Sequence, residues 1–208
     1  MSQLVAMLIK ASRVTNLTDA RYFAARGASY IGFNLEEGTE DYLDPIYMKA
    51  IKEWLEGPRM VGEFGSASPA VAAEAASFLG LDAVQINAGA HLGELGNLAG
   101  METILRLDGQ SGLDVITGIA SSATPFVSHF LLDFSGVENW EHILEQDAAG
   151  WLNLFDQYSF FVHADLRPEH PEWLSSLFHA AGISVTGGEE EKVGVKSFDE
   201  LDAILDML

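Results

Sequence analysis

The most constraining feature of this chain is a recurrence. A short apolar run followed by a stretch with helix start and stop signals comes back eight times along 208 residues. VAMLIK (5–10) precedes TDARYFAARG, where Thr18 is the expected N-cap and Gly27 the stop. SYIGFNL (29–35) precedes DPIYMKAIKEWLEG, with Asp44 as N-cap and Pro45 at the first helical position. RMVGEF (59–64) leads into SPAVAAEAASFLG, a Ser-Pro start with a glycine stop, and DAVQIN (82–87) into a shorter helical stretch around HLGELGNL. METILRL (101–107), SHFLLDF (128–134), YSFFVHA (158–164) and GISVTG (182–187) open the remaining four units. These lead into LDVITGIASSA, NWEHILEQDAAG, PEWLSSLFHAAG and SFDELDAILDML. Parallel strands covered on both faces read as near-continuous apolar runs, as these do. Eight such units in series predict an α/β fold, a (β/α)8 TIM barrel formed by 1–208 as a single domain. An open doubly wound sheet is the alternative. No glycine-rich dinucleotide loop follows the first strand and no Walker loop is present, so no cofactor is expected.

Composition narrows the partners. Eleven basic residues face 31 acidic ones, a net charge of −20 that repels nucleic acid and anionic membranes. No apolar run approaches the length of a bilayer span, and MSQLVAMLIK lacks the basic start of a signal peptide. There is no cysteine, so no thiol serves as nucleophile, base or ligand. The expectation is a cytoplasmic monomer or homodimer that takes a small-molecule ligand.

In a barrel of this kind the site lies at the C-terminal ends of the strands. The residues closing the strands are Lys10 and Ser12, Asn34, Glu63, Gln85 and Asn87, Arg106 and Asp108, Asp133, His163 and Asp165, and Ser184, Thr186, Gly187 and Gly188. The aromatic group Trp151, Phe155, Tyr158, Phe160 and Phe161 reads as core around the seventh strand. His91, His129, His142, His170 and His179 read as ordinary polar residues of helices or loops, without acid–base partners near them in sequence.

The stretch IKASRVTNLTDARYFAARGASYIGF resembles the opening of phosphoribosylanthranilate isomerase, the (β/α)8 enzyme of tryptophan biosynthesis. VGEF with SPAVAAEAASFLGLDAVQIN is similar to that family's third and fourth units, FLLD to its sixth strand, and GISVTGGEEEKVGVKSFDELDAIL to its ending. The resemblance implies an Amadori rearrangement of an aminoaldose to an aminoketose. That reaction uses an aspartate as general acid, a cysteine as general base, and cationic and backbone N–H groups for phosphate and carboxylate.

Asp133 falls on the acid, at a strand end where burial is expected to raise its pKa toward a useful value. Ser12 falls on the base. A thiol titrates near about 8.5, whereas a hydroxyl is far less acidic and cannot act as a base without a partner. Lys10 shares the inward side of that strand. It is either a neutral amine that activates Ser12 or a buried cation paired with Asp133 or another inward acid.

The anion-binding parts are altered as well. Asp41 stands where the family's arginine falls, Asn87 replaces a histidine, and Arg13 replaces a glycine of a close turn. The glycine-rich loop after the sixth strand is missing, and Asp165 replaces a phosphate-facing glycine. Only Thr186, Gly187 and Gly188 keep the pattern of a phosphate nest. Two functions compete: an isomerase with Asp133 as acid and Ser12 with Lys10 as base, or a barrel that lost catalysis and binds another ligand or a partner. For the second, Asp133, Asp165, Glu63, His163 and Asn87 suit a neutral polyol or a cation better than a phosphate. No spacing motif singles out a metal.

Overall fold

The computed structural model describes residues 7–89, 91–187, 190–192 and 195–208, the short pieces 190–192 and 195–196 in backbone only. Eight parallel strands close on one another in sequence order, with the last hydrogen-bonded to the first. They are β1 (Leu8–Ser12), β2 (Tyr30–Asn34), β3 (Arg59–Glu63), β4 (Ala83–Asn87), β5 (Glu102–Asp108), β6 (His129–Asp133), β7 (Phe160–His163) and β8 (Gly182–Thr186). The closed order excludes the open doubly wound sheet. A small antiparallel pair, β9 (Glu190–Lys192) and β10 (Val195–Lys196), follows β8 and has no counterpart in the periodic pattern.

Helices α1 (Leu17–Ala25), α2 (Pro45–Lys52), α3 (Pro69–Leu79), α4 (Leu113–Ala123), α5 (Glu141–Gln146), α6 (Ala148–Gln157), α7 (His170–Phe178) and α8 (Asp199–Leu205) fill the crossovers. After β4 the crossover is the 3-10 segment Leu92–Leu98. Asp44 caps α2 as expected, its carboxylate accepting from the Ile46 N–H at 2.7 Å. Asp44→Ala is expected to cost about 1 kcal/mol, a fall of roughly 2–4 °C in Tm by differential scanning calorimetry.

Two local expectations fail. Asn16, not Thr18, caps α1, because its side chain reaches the Asp19 N–H at 2.9 Å while Thr18 already lies inside the helix. The helical stretch after β6 is two helices, because Asp147 ends α5 and caps α6 by accepting from the Gly150 N–H at 3.0 Å.

Strand alternation sorts the barrel interior into layers. Leu8, Tyr30, Val61, Ala83, Ile104, Leu131 and Phe161 form a lower apolar layer. Two residues further along these strands and β8, the same inward face carries Lys10, Gly32, Glu63, Gln85, Arg106, Asp133, His163 and Ser184. One more step brings Ser12, Asn34, Asn87, Asp108 and Thr186 to the mouth. The apolar layer seals the barrel from below, so the polar layer can be approached only from the C-terminal end. Outside, Trp151, Phe155 and Phe160 are buried between the strands and the helical shell, as the aromatic pattern around β7 predicts, together with Phe178; of the same group Tyr158 is only partly buried and Phe161 belongs to the apolar layer inside the barrel.

Below the apolar layer lies a second polar group. The Tyr30 hydroxyl donates to Glu102 at 2.6 Å and contacts His129 Nε2 at 3.1 Å; His129 Nδ1 contacts the Ser159 hydroxyl at 2.7 Å. His129 therefore sits on a strand with an acid beside it, contrary to the sequence expectation. The other four histidines also have carboxylate partners: His91 with Glu94, His142 with Glu145, His170 with Glu141 and His179 with Asp156.

Candidate active site

The polar layer is charged and internally balanced. Lys10 is fully buried. Its ammonium donates to Glu63 Oε1 at 2.5 Å and to the Ser12 hydroxyl at 2.6 Å. Ser12 in turn shares a 2.8 Å hydrogen bond with Ser184 across the β1–β8 seam. The acid that meets Lys10 is Glu63 on β3, not Asp133. Gly32 on the strand between them makes this possible, since a Cβ there would fall on the Glu63 carboxylate and lie 3.1 Å from Lys10 Nζ. Burial is the main influence lowering the Lys10 pKa, with Glu63 opposing it. Ser12 therefore hydrogen-bonds to a paired ammonium and a second hydroxyl, and neither removes its proton.

Asp133 is held differently from the expectation. Burial, the largest influence, does push its pKa up. Hydrogen bonds from Ser135, the nearby His163 and the Arg106 guanidinium together outweigh burial, and the carboxyl ends below its ordinary value. Arg106 grips one carboxylate oxygen through Nε and Nη2, while the other accepts from the Ser135 N–H at 2.7 Å. Arg106 also donates to Asn87 Oδ1 at 3.3 Å. At neutral pH Asp133 is an ionised clamp with no proton to give.

His163 donates from Nδ1 to the Ser184 carbonyl at 2.9 Å, a bond only a protonated nitrogen can make to that acceptor. Its pKa is lowered, chiefly by burial. The ring is thus neutral with Nε2 as a lone pair.

The mouth divides into three connected spaces. The largest, about 620 Å³, lies above β6, β7 and β8 against α8. Its walls include His163, Asp165, Thr186, Gly187, Asp199 and Glu200, and no described lysine or arginine lines it. Asp19, buried at the start of α1, presses its carboxylate against the Gly187 backbone. The two glycines of the expected nest therefore part company: Gly187 faces an acid, and Gly188 lies outside the described residues. Trp140 donates to the Asp165 carbonyl at 3.3 Å and so holds the loop that carries that exposed acid.

A second space of about 360 Å³ is lined by Asn87, Arg106, Asp108, Gln110, Asp133 and Ser135. The third, about 180 Å³, lies above β1 to β5 among Arg13, Asn34, Glu36, Glu40, Gln85 and Asn87. Asp41 lines none of these three spaces; it sits exposed in the β2–α2 loop with φ at 59°. Arg13 adopts φ 52°, a left-handed conformation that a glycine takes without strain. No group of three or more His, Asp or Glu among the described residues is placed to hold a metal ion.

Of the residues singled out from sequence, Lys10, Ser12, Asn87, Asp133, His163, Asp165, Thr186 and Gly187 all come to this one end of the barrel. Glu63, Gln85 and Arg106, which the sequence marks as strand-closing residues, come to the same end, as does Arg13; the pairing of Glu63 with Lys10 and of Arg106 with Asp133 is what the sequence does not show. For Glu63, Gln85 and Arg106 the usable signal is the count of two from the apolar residues Val61, Ala83 and Ile104 on the same strand face.

The closed eightfold sheet defines a (β/α)8 barrel, with a polar layer at the C-terminal ends of its strands. The solved structures it resembles include phosphoribosylanthranilate isomerases. The Thermotoga maritima enzyme superposes with a TM-score of 0.78 at 21% identity, covering 97% of this chain and 98% of that one. The Thermus thermophilus enzyme gives 0.77 at 23% identity, with 97% and 98% covered. A third, in complex with reduced 1-(o-carboxyphenylamino)-1-deoxyribulose 5-phosphate, gives 0.74 at 22%, with 96% and 97% covered. The sequence matches no protein-family model and no curated protein. Likeness at these identities establishes the shared barrel and its end-to-end match. Among the described residues no helix is long and apolar enough to cross a membrane.

Proposed function

We propose that this barrel binds a small polar ligand at its C-terminal mouth and does not catalyse the rearrangement carried out by phosphoribosylanthranilate isomerases. The observation that carries this reading is the pairing of the inward charges. The general acid of such a reaction must hold a proton, and Asp133 is kept ionised by Arg106 and Ser135. The base position holds Ser12, which accepts from Lys10 and shares a hydrogen bond with the Ser184 hydroxyl, and neither partner is a base that takes its proton. A phosphate in the β6–β8 space would face Asp165, Asp199 and Glu200 with no described cation beside it. Neutral or cationic groups suit those walls.

Acid and base each contribute about 10²–10⁴-fold to proton-transfer catalysis. The folded protein, checked by circular dichroism, is therefore expected to give no detectable conversion of N-(5'-phosphoribosyl)anthranilate. Ser12→Cys is expected to leave it inactive, because a restored thiol does not protonate Asp133 or remove the acids from the β6–β8 space. Ordinary turnover by the unmodified chain, or rescue by Ser12→Cys alone, refutes the reading.

A further inference from the structure

The third space at the mouth carries a more specific statement about the ligand. One group there has hydrogen-bonding capacity that the described residues leave unused. Arg13 lines the same cavity, and its guanidinium makes no hydrogen bond or ion pair with any described residue. Only its backbone N–H is engaged, with Glu63 Oε2 at 3.3 Å.

The charges that remain after internal pairing define what fits. Lys10 cancels Glu63, and Arg106 cancels Asp133. Left facing the cavity are one cation, Arg13, and two carboxylates, Glu36 and Glu40. Glu36 is fixed by the Ser66 N–H at 3.2 Å and the Ser66 hydroxyl at 2.5 Å. Asn34 steadies the same loop by donating to the Thr39 hydroxyl at 2.9 Å and the Glu40 carbonyl at 2.6 Å.

An unpaired planar guanidinium is a fork for a carboxylate. The Glu36 carboxylate, held by Ser66, with Glu40 beside it calls for a donor with positive charge. We propose that this cavity recognises a small zwitterion of the α-amino-acid type, its carboxylate on Arg13 and its ammonium toward Glu36 and Glu40. A volume of about 180 Å³ restricts it to a compact molecule. This rests on the reading of the mouth as a binding site and names its ligand class.

Titration calorimetry with four probes of similar size separates the contributions. L-serine carries both charges, D-glycerate only the carboxylate, ethanolamine only the ammonium, and glycerol neither. L-serine is expected to bind at least tenfold more tightly than each of the others. Arg13→Gly suits the left-handed backbone and removes the fork, so it is expected to weaken L-serine and D-glycerate at least tenfold and leave ethanolamine unchanged. Glu36→Gln removes the charge that faces the ammonium while keeping an acceptor for Ser66, so it is expected to weaken L-serine and ethanolamine at least tenfold and leave D-glycerate unchanged, a split that a merely structural carboxylate would not give.

Glycerate or ethanolamine binding as tightly as serine, or no binding by serine, overturns the inference. The isomerase assay is independent of all four probes, so a failure here with no turnover there refutes the ligand class alone. Turnover of the phosphoribosyl substrate refutes the underlying reading.

Discussion

Replacing Glu63 with leucine is expected to destabilise the protein by about 3–5 kcal/mol, the usual cost of stranding one partner of a buried ion pair. For a chain of this size that is a fall of roughly 6–20 °C in Tm. Lys10 has no exposed surface and meets Glu63 Oε1 at 2.5 Å. Without that carboxylate, burial acts on Lys10 with its main opposition gone, and Arg13 pushes in the same direction.

The sign of the pH dependence follows. The folded pKa of Lys10 is already lowered and falls further in the variant, so between that value and about 10.4 the unfolded chain binds the extra proton. Stability of the variant therefore rises with pH across that window, and its deficit against the unmodified protein shrinks between pH 7 and 9.5. Lys10→Met combined with Glu63→Leu removes both charges and is expected to recover most of the loss. Urea unfolding at the two pH values checks this. A Glu63→Leu variant within about 1 kcal/mol of the parent, below the range for a stranded buried charge, would show that the pair is not what holds this layer together.

The same pair shows how far the sequence could be read. The barrel was legible because each strand reads as a near-continuous apolar run until its C-terminal end, and the caps Asp44, Ser68 and Gly80 punctuate the pattern locally. Lys10, Ser12 and Asp133 were legible as strand-end polar residues in apolar runs. The identity of the acid that meets Lys10 was not, because it depends on register between β1, β2 and β3 and on the space left by Gly32.

The protonation of Asp133 is not legible in the sequence for a related reason. Burial follows from its own strand, whereas the Arg106 clamp comes from the neighbouring strand β5, where Arg106 pairs across from Leu131 rather than from Asp133 itself. Where two cap-capable residues lie close together, as Asn16 and Thr18 do, local propensity does not choose. The choice is made by geometry: only Asn16 lies outside the helix with its oxygen turned to the Asp19 N–H.

Phe161→Ala tests the seal beneath the site. Phe161 is fully buried in the apolar layer, edge-on to Tyr30 at 5.7 Å and to His129 at 5.3 Å between ring centroids. Its ring fills the room left by Gly182, where a Cβ would collide with the ring and with the Leu8 carbonyl. The surrounding wall is hydrogen-bonded backbone that cannot collapse inward, so the loss is expected at about 3–5 kcal/mol by urea unfolding. The void adjoins the Tyr30, Glu102 and His129 group below. His129 is held below its ordinary pKa chiefly by burial, against an opposing pull from Glu102. Water entering the void relieves burial, so the His129 pKa is expected to move up toward about 6.5 in an NMR titration. In the parent, a lowered histidine pKa means that the unfolded chain takes the proton first as pH drops below that value, and stability falls with it. That portion of the acid sensitivity is expected to diminish in Phe161→Ala even as overall stability drops. An unchanged His129 titration would mean that the layer stays dry without its largest ring, and that the strands alone separate the polar mouth from the polar base.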